Sequence, residues 1–116
     1  PVDRIAEFLV YTRATGKAEG ITIRSFGHAG DGNLHIYVLK DALPEEEWQK
    51  KVVRCMDALY AKAAAMKGQV SGEHGIGHAK RDYLKQSLDP EQIELMKRIK
   101  AAFDPNGILN PGKVIG

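Results

Sequence analysis

The residues of this chain best suited to chemistry are its histidines, and two of them bracket a glycine-rich turn. His28 and His35 flank Ala29-Gly30-Asp31-Gly32-Asn33-Leu34, with β-type residues running in over Ile21-Thr22-Ile23-Arg24 and out over Ile36-Tyr37-Val38-Leu39. Asp-Gly between such runs is a strong hairpin signal, because a two-residue type I′ turn needs positive φ at both centres. With Asp31 and Gly32 as those centres, Gly30 pairs with Asn33, Ala29 with Leu34, and His28 with His35. Directly opposed side chains share a face with Cβ atoms about 4.5–5.5 Å apart. Two imidazoles so placed can converge on one divalent ion, at roughly 2.0–2.1 Å per nitrogen for zinc. A longer turn also fits, since Gly30, Gly32 and Asn33 tolerate irregular backbone, and it would change the register.

A second cluster, Ser71-Gly72-Glu73-His74-Gly75-Ile76-Gly77, sets an acid beside a histidine within a run of glycines. Two histidines and a carboxylate form a ligand set that leaves positions open for water or substrate. His74 is the candidate base, since an imidazole titrates near neutral pH. In regular structure adjacent side chains cannot aim at one point, so Glu73 and His74 are expected to diverge, with Gly72 and Gly75 permitting the unusual backbone. The plain alternative for each residue is structural: a turn that only turns, and histidines that only pack.

Three segments together resemble a known family. They are His28-Ala29-Gly30-Asp31-Gly32-Asn33-Leu34-His35, Gly72-Glu73-His74-Gly75-Ile76-Gly77 and Phe103-Asp104-Pro105-Asn106-Gly107-Ile108-Leu109-Asn110-Pro111-Gly112-Lys113. In this order they are similar to the C-terminal domain of the FAD-linked D-2-hydroxyacid dehydrogenases and oxidases, the D-lactate dehydrogenase and glycolate oxidase FAD-subunit group. The resemblance implies that His28, His35 and Glu73 bind a divalent metal (Zn, Mn or Fe). It makes His74 the base that contacts substrate, with the Cα hydrogen leaving as hydride to FAD. Tyr37, two residues past His35 on the same face, is a substrate-binding candidate. Some relatives carry asparagine there, so this chain departs from the 2-hydroxyglutarate subgroup. The resemblance implies that Asn110 lies in a segment near the flavin. His78 matches no ligand position, and Arg24 does not match the family's substrate-carboxylate arginine, which lies upstream of its metal motif.

The elements that must position these residues follow from periodicity. Asp3 can cap a first helix with Ile5, Phe8, Leu9 and Thr12 on one face and Gly16 near its end. On the hairpin, Ile21, Ile23, Ile36 and Val38 share the face expected to pack on helices. Thr22, Arg24, Phe26, His28, His35, Tyr37 and Leu39 share the other, expected to line a pocket. A long helix has Pro44 near N1, three glutamates in its first turn and a core stripe of Trp48, Val52, Cys55, Met56, Leu59, Ala63 and Met66, with Gly68 ending it. A short helix is expected from near Ile76 through Leu84. Asp89-Pro90-Glu91-Gln92 reads as a capping box, with Ile93, Met96, Ile99 and Phe103 as the buried face that follows.

The expected fold is therefore α+β, an antiparallel β-hairpin packed with about four helices; the resemblance makes that hairpin part of a ferredoxin-like substrate-domain sheet. The resemblance implies that residues 1–116 are one substrate- and metal-binding domain fragment, without the N-terminal FAD-binding domain. Alone it exposes a sheet edge at which copies can self-associate. Net charge is +2, from 17 basic and 15 acidic residues, scattered rather than clustered, which argues against a nucleic-acid partner. One cysteine excludes a disulfide framework. The resemblance implies a small 2-hydroxy acid as substrate and a quinone, cytochrome or electron-transfer flavoprotein as acceptor. Its implied location is the cytoplasm, with peripheral attachment at the inner membrane as a variant. Two rival readings are a metal-dependent hydrolase built on the same ligands, and a non-enzymatic domain binding anions at a helix start near Ile76.

Overall fold

A computed structural model describes all of residues 1–116, which divide into two units, Pro1–Gly68 and Gln69–Gly116. In the first unit, a 3₁₀ turn over Val2–Arg4 leads into α1 (Ile5–Glu19). The two strands β1 (Thr22–His28) and β2 (Asn33–Leu39) follow, and α2 (Glu45–Ala65) completes the unit. The second unit holds α3 (Arg81–Ser87), α4 (Pro90–Phe103) and a turn-rich tail. Two strands and four helices make this an α+β fold with a β-hairpin, as the periodicity predicts. No helix is long and apolar enough to cross a membrane.

The first unit carries the apolar core, in which Ile21, Cys55, Leu59 and Met66 are buried. Cys55, Leu59 and Met66 lie on the predicted stripe of α2, which packs on α1. Burial pushes the Cys55 thiol up from its ordinary range, in keeping with a packing role. Gly16 lets α1 approach the strand, because a Cβ there would come within 2.9 Å of the Ile21 carbonyl oxygen. Ion pairs Glu7–Lys62 and Glu19–Arg54, both 2.7 Å, join the two helices at their edges.

Several helix boundaries differ from expectation. Asp3 sits in the 3₁₀ turn rather than at the cap, and Arg4 precedes α1 with no side-chain capping bond. The left-handed residue closing α1 is Gly20 (φ 63°), not Gly16. Pro44 stands just before α2, and its carbonyl accepts the Trp48 N–H. At the far end of α2 the left-handed residue is Lys67 (φ 60°), with Gly68 one place later. Gly68 N–H donates to Ala63 O at 2.8 Å and Lys67 N–H to Ala64 O at 2.9 Å, the two bonds of a Schellman ending. The expected capping box is present: Asp89 accepts the N3 backbone N–H, and Gln92 Oε1 accepts the Asp89 N–H at 3.0 Å. The buried face expected of α4 is not realised: Ile93 and Met96 are only half-buried, and Ile99 and Phe103 are exposed.

Candidate functional site

The hairpin positions both tip histidines, in a different register from the one predicted. Thr22 pairs with Leu39, Phe26 with His35, and His28 with Asn33. The connection is longer than a type I′ turn: Ala29–Asp31 form a 3₁₀ turn, and Gly32 (φ 70°) closes it by donating to Ala29 O at 3.3 Å. This is a four-residue loop ending in a left-handed glycine. His28 and His35 are consequently diagonal rather than opposed. The slip is two residues, and the side-chain period is also two, so both imidazoles keep the same face. Diagonal neighbours are separated by roughly 7–8 Å at the backbone and remain within reach of long or aromatic side chains.

The same face carries a stack of three rings. Phe26 lies against His35 (centroids 5.5 Å apart, planes at 13°) and against Tyr37 (5.0 Å, 15°). The face is more open than a pocket lining: Phe26 is 59% and Tyr37 47% exposed. A shallow recess bordered by Gly16, Gly20, Thr22, Asp41 and Leu43 lies at the other end of the hairpin from His28.

Gly27, which the sequence reading passed over, is a requirement of this geometry. A Cβ at Gly27 would fall 2.2 Å from the Asn33 carbonyl oxygen. A glycine inside a strand marks close backbone approach, and this one stands immediately before His28. That position was the signal available in the sequence.

In the second unit, Glu73 and His74 lie in a segment without regular structure, and α3 starts at Arg81 rather than near Ile76. Positive φ at Gly75 (74°) and Gly77 (57°) interrupts any earlier helix. The anion-binding alternative thereby loses the helix start it required. Glu73 and His74 do not diverge: Glu73 Oε1 and His74 Nε2 are 3.4 Å apart. Without helical or strand periodicity, nothing forces neighbouring side chains to opposite sides. Both are solvent-accessible, with side-chain exposures of 46% and 72%.

The tail carrying Asn110 belongs to the same unit as this segment. Asn110 is exposed and left-handed (φ 47°). Val114 N–H donates to Gly77 O at 2.7 Å, and Arg81 Nη1 donates to Gly112 O at 3.1 Å and Gly116 O at 2.6 Å. Upstream, the buried Asp104 carboxylate accepts from the Lys100 ammonium and from the backbone N–H groups of Ile108 and Leu109, each at 3.0 Å. The Lys100 bond, with the two backbone donors, holds the Asp104 carboxyl below its ordinary range.

Comparison with known proteins agrees with the motifs. Residues 1–114 match the family model described as FAD linked oxidases, C-terminal domain. A D-lactate dehydrogenase from Anaerostipes hadrus is 53% identical over 114 residues, covering 98% of this chain and 24% of that protein. A D-2-hydroxyglutarate dehydrogenase from Stutzerimonas stutzeri (strain A1501) is 49% identical over 90 residues, 77% of this chain and 19% of that protein. Glycolate oxidase subunit GlcD from Bacillus subtilis (strain 168) is 46% identical over 94 residues, 81% of this chain and 20% of that protein. The chain thus spans about a quarter or less of the length of these curated relatives.

Proposed function

Because this chain belongs to the family of FAD linked oxidase C-terminal domains, we propose that it serves in an FAD-dependent enzyme oxidising a D-2-hydroxy acid to the 2-oxo acid. The substrate is of the D-lactate or glycolate type, and the chain acts as the substrate- and metal-binding part. The observation that carries this reading is the match over residues 1–114, with relatives named for three 2-hydroxy acid reactions. FAD would be held chiefly by an N-terminal domain outside these residues, with Asn110 contributing from this chain. Electrons would leave to a quinone, a cytochrome or an electron-transfer flavoprotein, and the location would be cytoplasmic.

The donor set of His28, His35 and Glu73 has the chemistry of a divalent site: two neutral nitrogens and one carboxylate suit a borderline ion such as Zn, Mn or Fe. When bound, such an ion supplies Lewis acidity that lowers the pKa of a substrate hydroxyl, and FAD supplies the hydride acceptor. The chain's own residues do the rest. His74 takes the hydroxyl proton on an imidazole nitrogen, so that as the Cα–H bond breaks the oxygen's electron pair forms the new carbonyl. Tyr37 offers a hydroxyl for orienting the substrate. Phe26, stacked on both His35 and Tyr37, limits the freedom of the two rings.

A graft tests the proposal. This chain would replace its matching segment in the Anaerostipes hadrus D-lactate dehydrogenase, with D-lactate, glycolate and D-2-hydroxyglutarate each offered alongside a dye acceptor. Turnover of D-lactate or glycolate that falls at least a hundredfold in His74→Ala supports it, a loss in line with removal of a general base. A folded, FAD-loaded graft inert toward all three acids would refute it.

A further inference from the structure

The Glu73–His74 segment contains no helix or strand, so tertiary bonds rather than a repeating ladder help to set its position. At its downstream end Gly77 O accepts the Val114 N–H at 2.7 Å. Val114 has φ 55°, a left-handed conformation that is an outlier for a β-branched residue. Such backbone persists only where its surroundings over-determine it. Besides the turn's own backbone bonds, the side chain that holds it is Arg81, whose Nη1 donates to the carbonyls two residues on either side, Gly112 O at 3.1 Å and Gly116 O at 2.6 Å. The bonds close a ring from Gly77 to Val114, through the tail carbonyls to Arg81, and back along the turn that precedes α3.

We infer that Arg81 is a positioning residue for the Glu73–His74 segment, acting through the C-terminal tail that it clamps on both sides of Val114. A guanidinium suits the task because it keeps its charge at every working pH and presents donors in a rigid fork. The inference rests on the roles proposed above for Glu73 and His74, but its structural part is measurable without them.

Hydrogen exchange on the 116-residue chain, with no flavin or substrate present, is the first test. Arg81→Ala should speed exchange of the Val114 amide at least tenfold and loosen the Gly75–Gly77 amides, leaving the β1–β2 amides unchanged. Arg81→Lys, which keeps the charge but not the fork, should restore only part of the protection. Val114→Pro is the second variant: it removes the N–H that bonds Gly77 and cannot adopt positive φ, while Arg81 stays intact. It should loosen the Gly75–Gly77 amides even if Arg81→Ala disturbs α3. In the graft, Arg81→Ala should lower kcat at least fivefold with KM changed less than twofold, and Arg81→Lys should recover part of the loss. Unchanged exchange at Val114 in Arg81→Ala, together with unchanged exchange at Gly75–Gly77 in both Arg81→Ala and Val114→Pro, would overturn the clamp. Altered exchange with unchanged kcat would overturn the positioning role. An inert parent graft combined with the expected exchange pattern would instead refute the proposed reaction and leave the clamp standing.

Discussion

Phe26 lies directly across the hairpin from His35 and stacks on its ring, with centroids 5.5 Å apart. The pairing results from a four-residue connection. A two-residue turn would have set His28 opposite His35. Phe26 also covers Tyr37, so one exposed aromatic residue orders two candidate site residues.

Phe26→Ala should therefore cost about 1 kcal/mol of stability, in line with the worth of aromatic pairs. It should also shift the His35 ring-proton resonances downfield as the ring current of Phe26 disappears. Denaturant unfolding and proton NMR of the chain read both. Unchanged His35 resonances would show that the stack does not persist in solution.

Two glycines of the hairpin tip should behave oppositely. Gly27→Ala puts a Cβ 2.2 Å from Asn33 O, whereas a Cβ at Gly30 meets nothing within 4 Å. We expect Gly27→Ala to cost about 1–3 kcal/mol and Gly30→Ala to stay within about 0.5 kcal/mol of the parent. Unfolding midpoints in urea separate the two.

The endings of α1 and α2 supply a matched pair. Both place a left-handed residue after the helix, Gly20 in one and Lys67 in the other. Gly20→Ala should destabilise by about 1–2 kcal/mol. Lys67→Gly removes the same Cβ penalty and should stabilise by up to about 1 kcal/mol. Thermal melts of the two variants should move in opposite directions.

Acid should loosen both units. Asp104 is held below its usual value of 3.8 by Lys100 and by the Leu109 and Ile108 N–H groups. Glu19 is held below 4.5 chiefly by Arg54. A depressed folded pKa means the stabilisation is fully present above the unfolded value and disappears as pH falls through the lower folded one. Protection of the Ile108 and Leu109 amides should thus hold down to about pH 4 and decline below it. Asp104→Asn should remove that pH dependence, which amide exchange between pH 3 and 6 would reveal.

Metal content gives the last prediction. Chelator-free protein should carry about one equivalent of Zn, Mn or Fe, and the His28→Ala, His35→Ala double variant none. Elemental analysis of both decides it. A well-folded parent without metal would remove His28 and His35 from the proposed ligand set.

Features encoded within a few neighbouring residues were legible in the sequence. Alternation from Ile21 to Leu39 assigned the hairpin and sorted its faces, and a two-residue slip left that sorting intact because the strand period is two. Asp89 and Gln92 announced their capping box, since both bonds close within one helical turn. The Cys55–Leu59–Met66 stripe of α2 was equally plain. Motif order and spacing pointed to the family that residues 1–114 match. Tertiary structure alone decided the rest. Turn length depends on how the whole Ala29–Gly32 backbone satisfies its hydrogen bonds, which the Asp-Gly pair does not dictate. The start of α3 waited on positive φ at Gly75 and Gly77. Glu73 and His74 converge because their segment lacks the periodicity that would part them. The Arg81 bonds to Gly112 and Gly116 join positions 31 and 35 residues apart, a separation at which residue type carries no record of its partner.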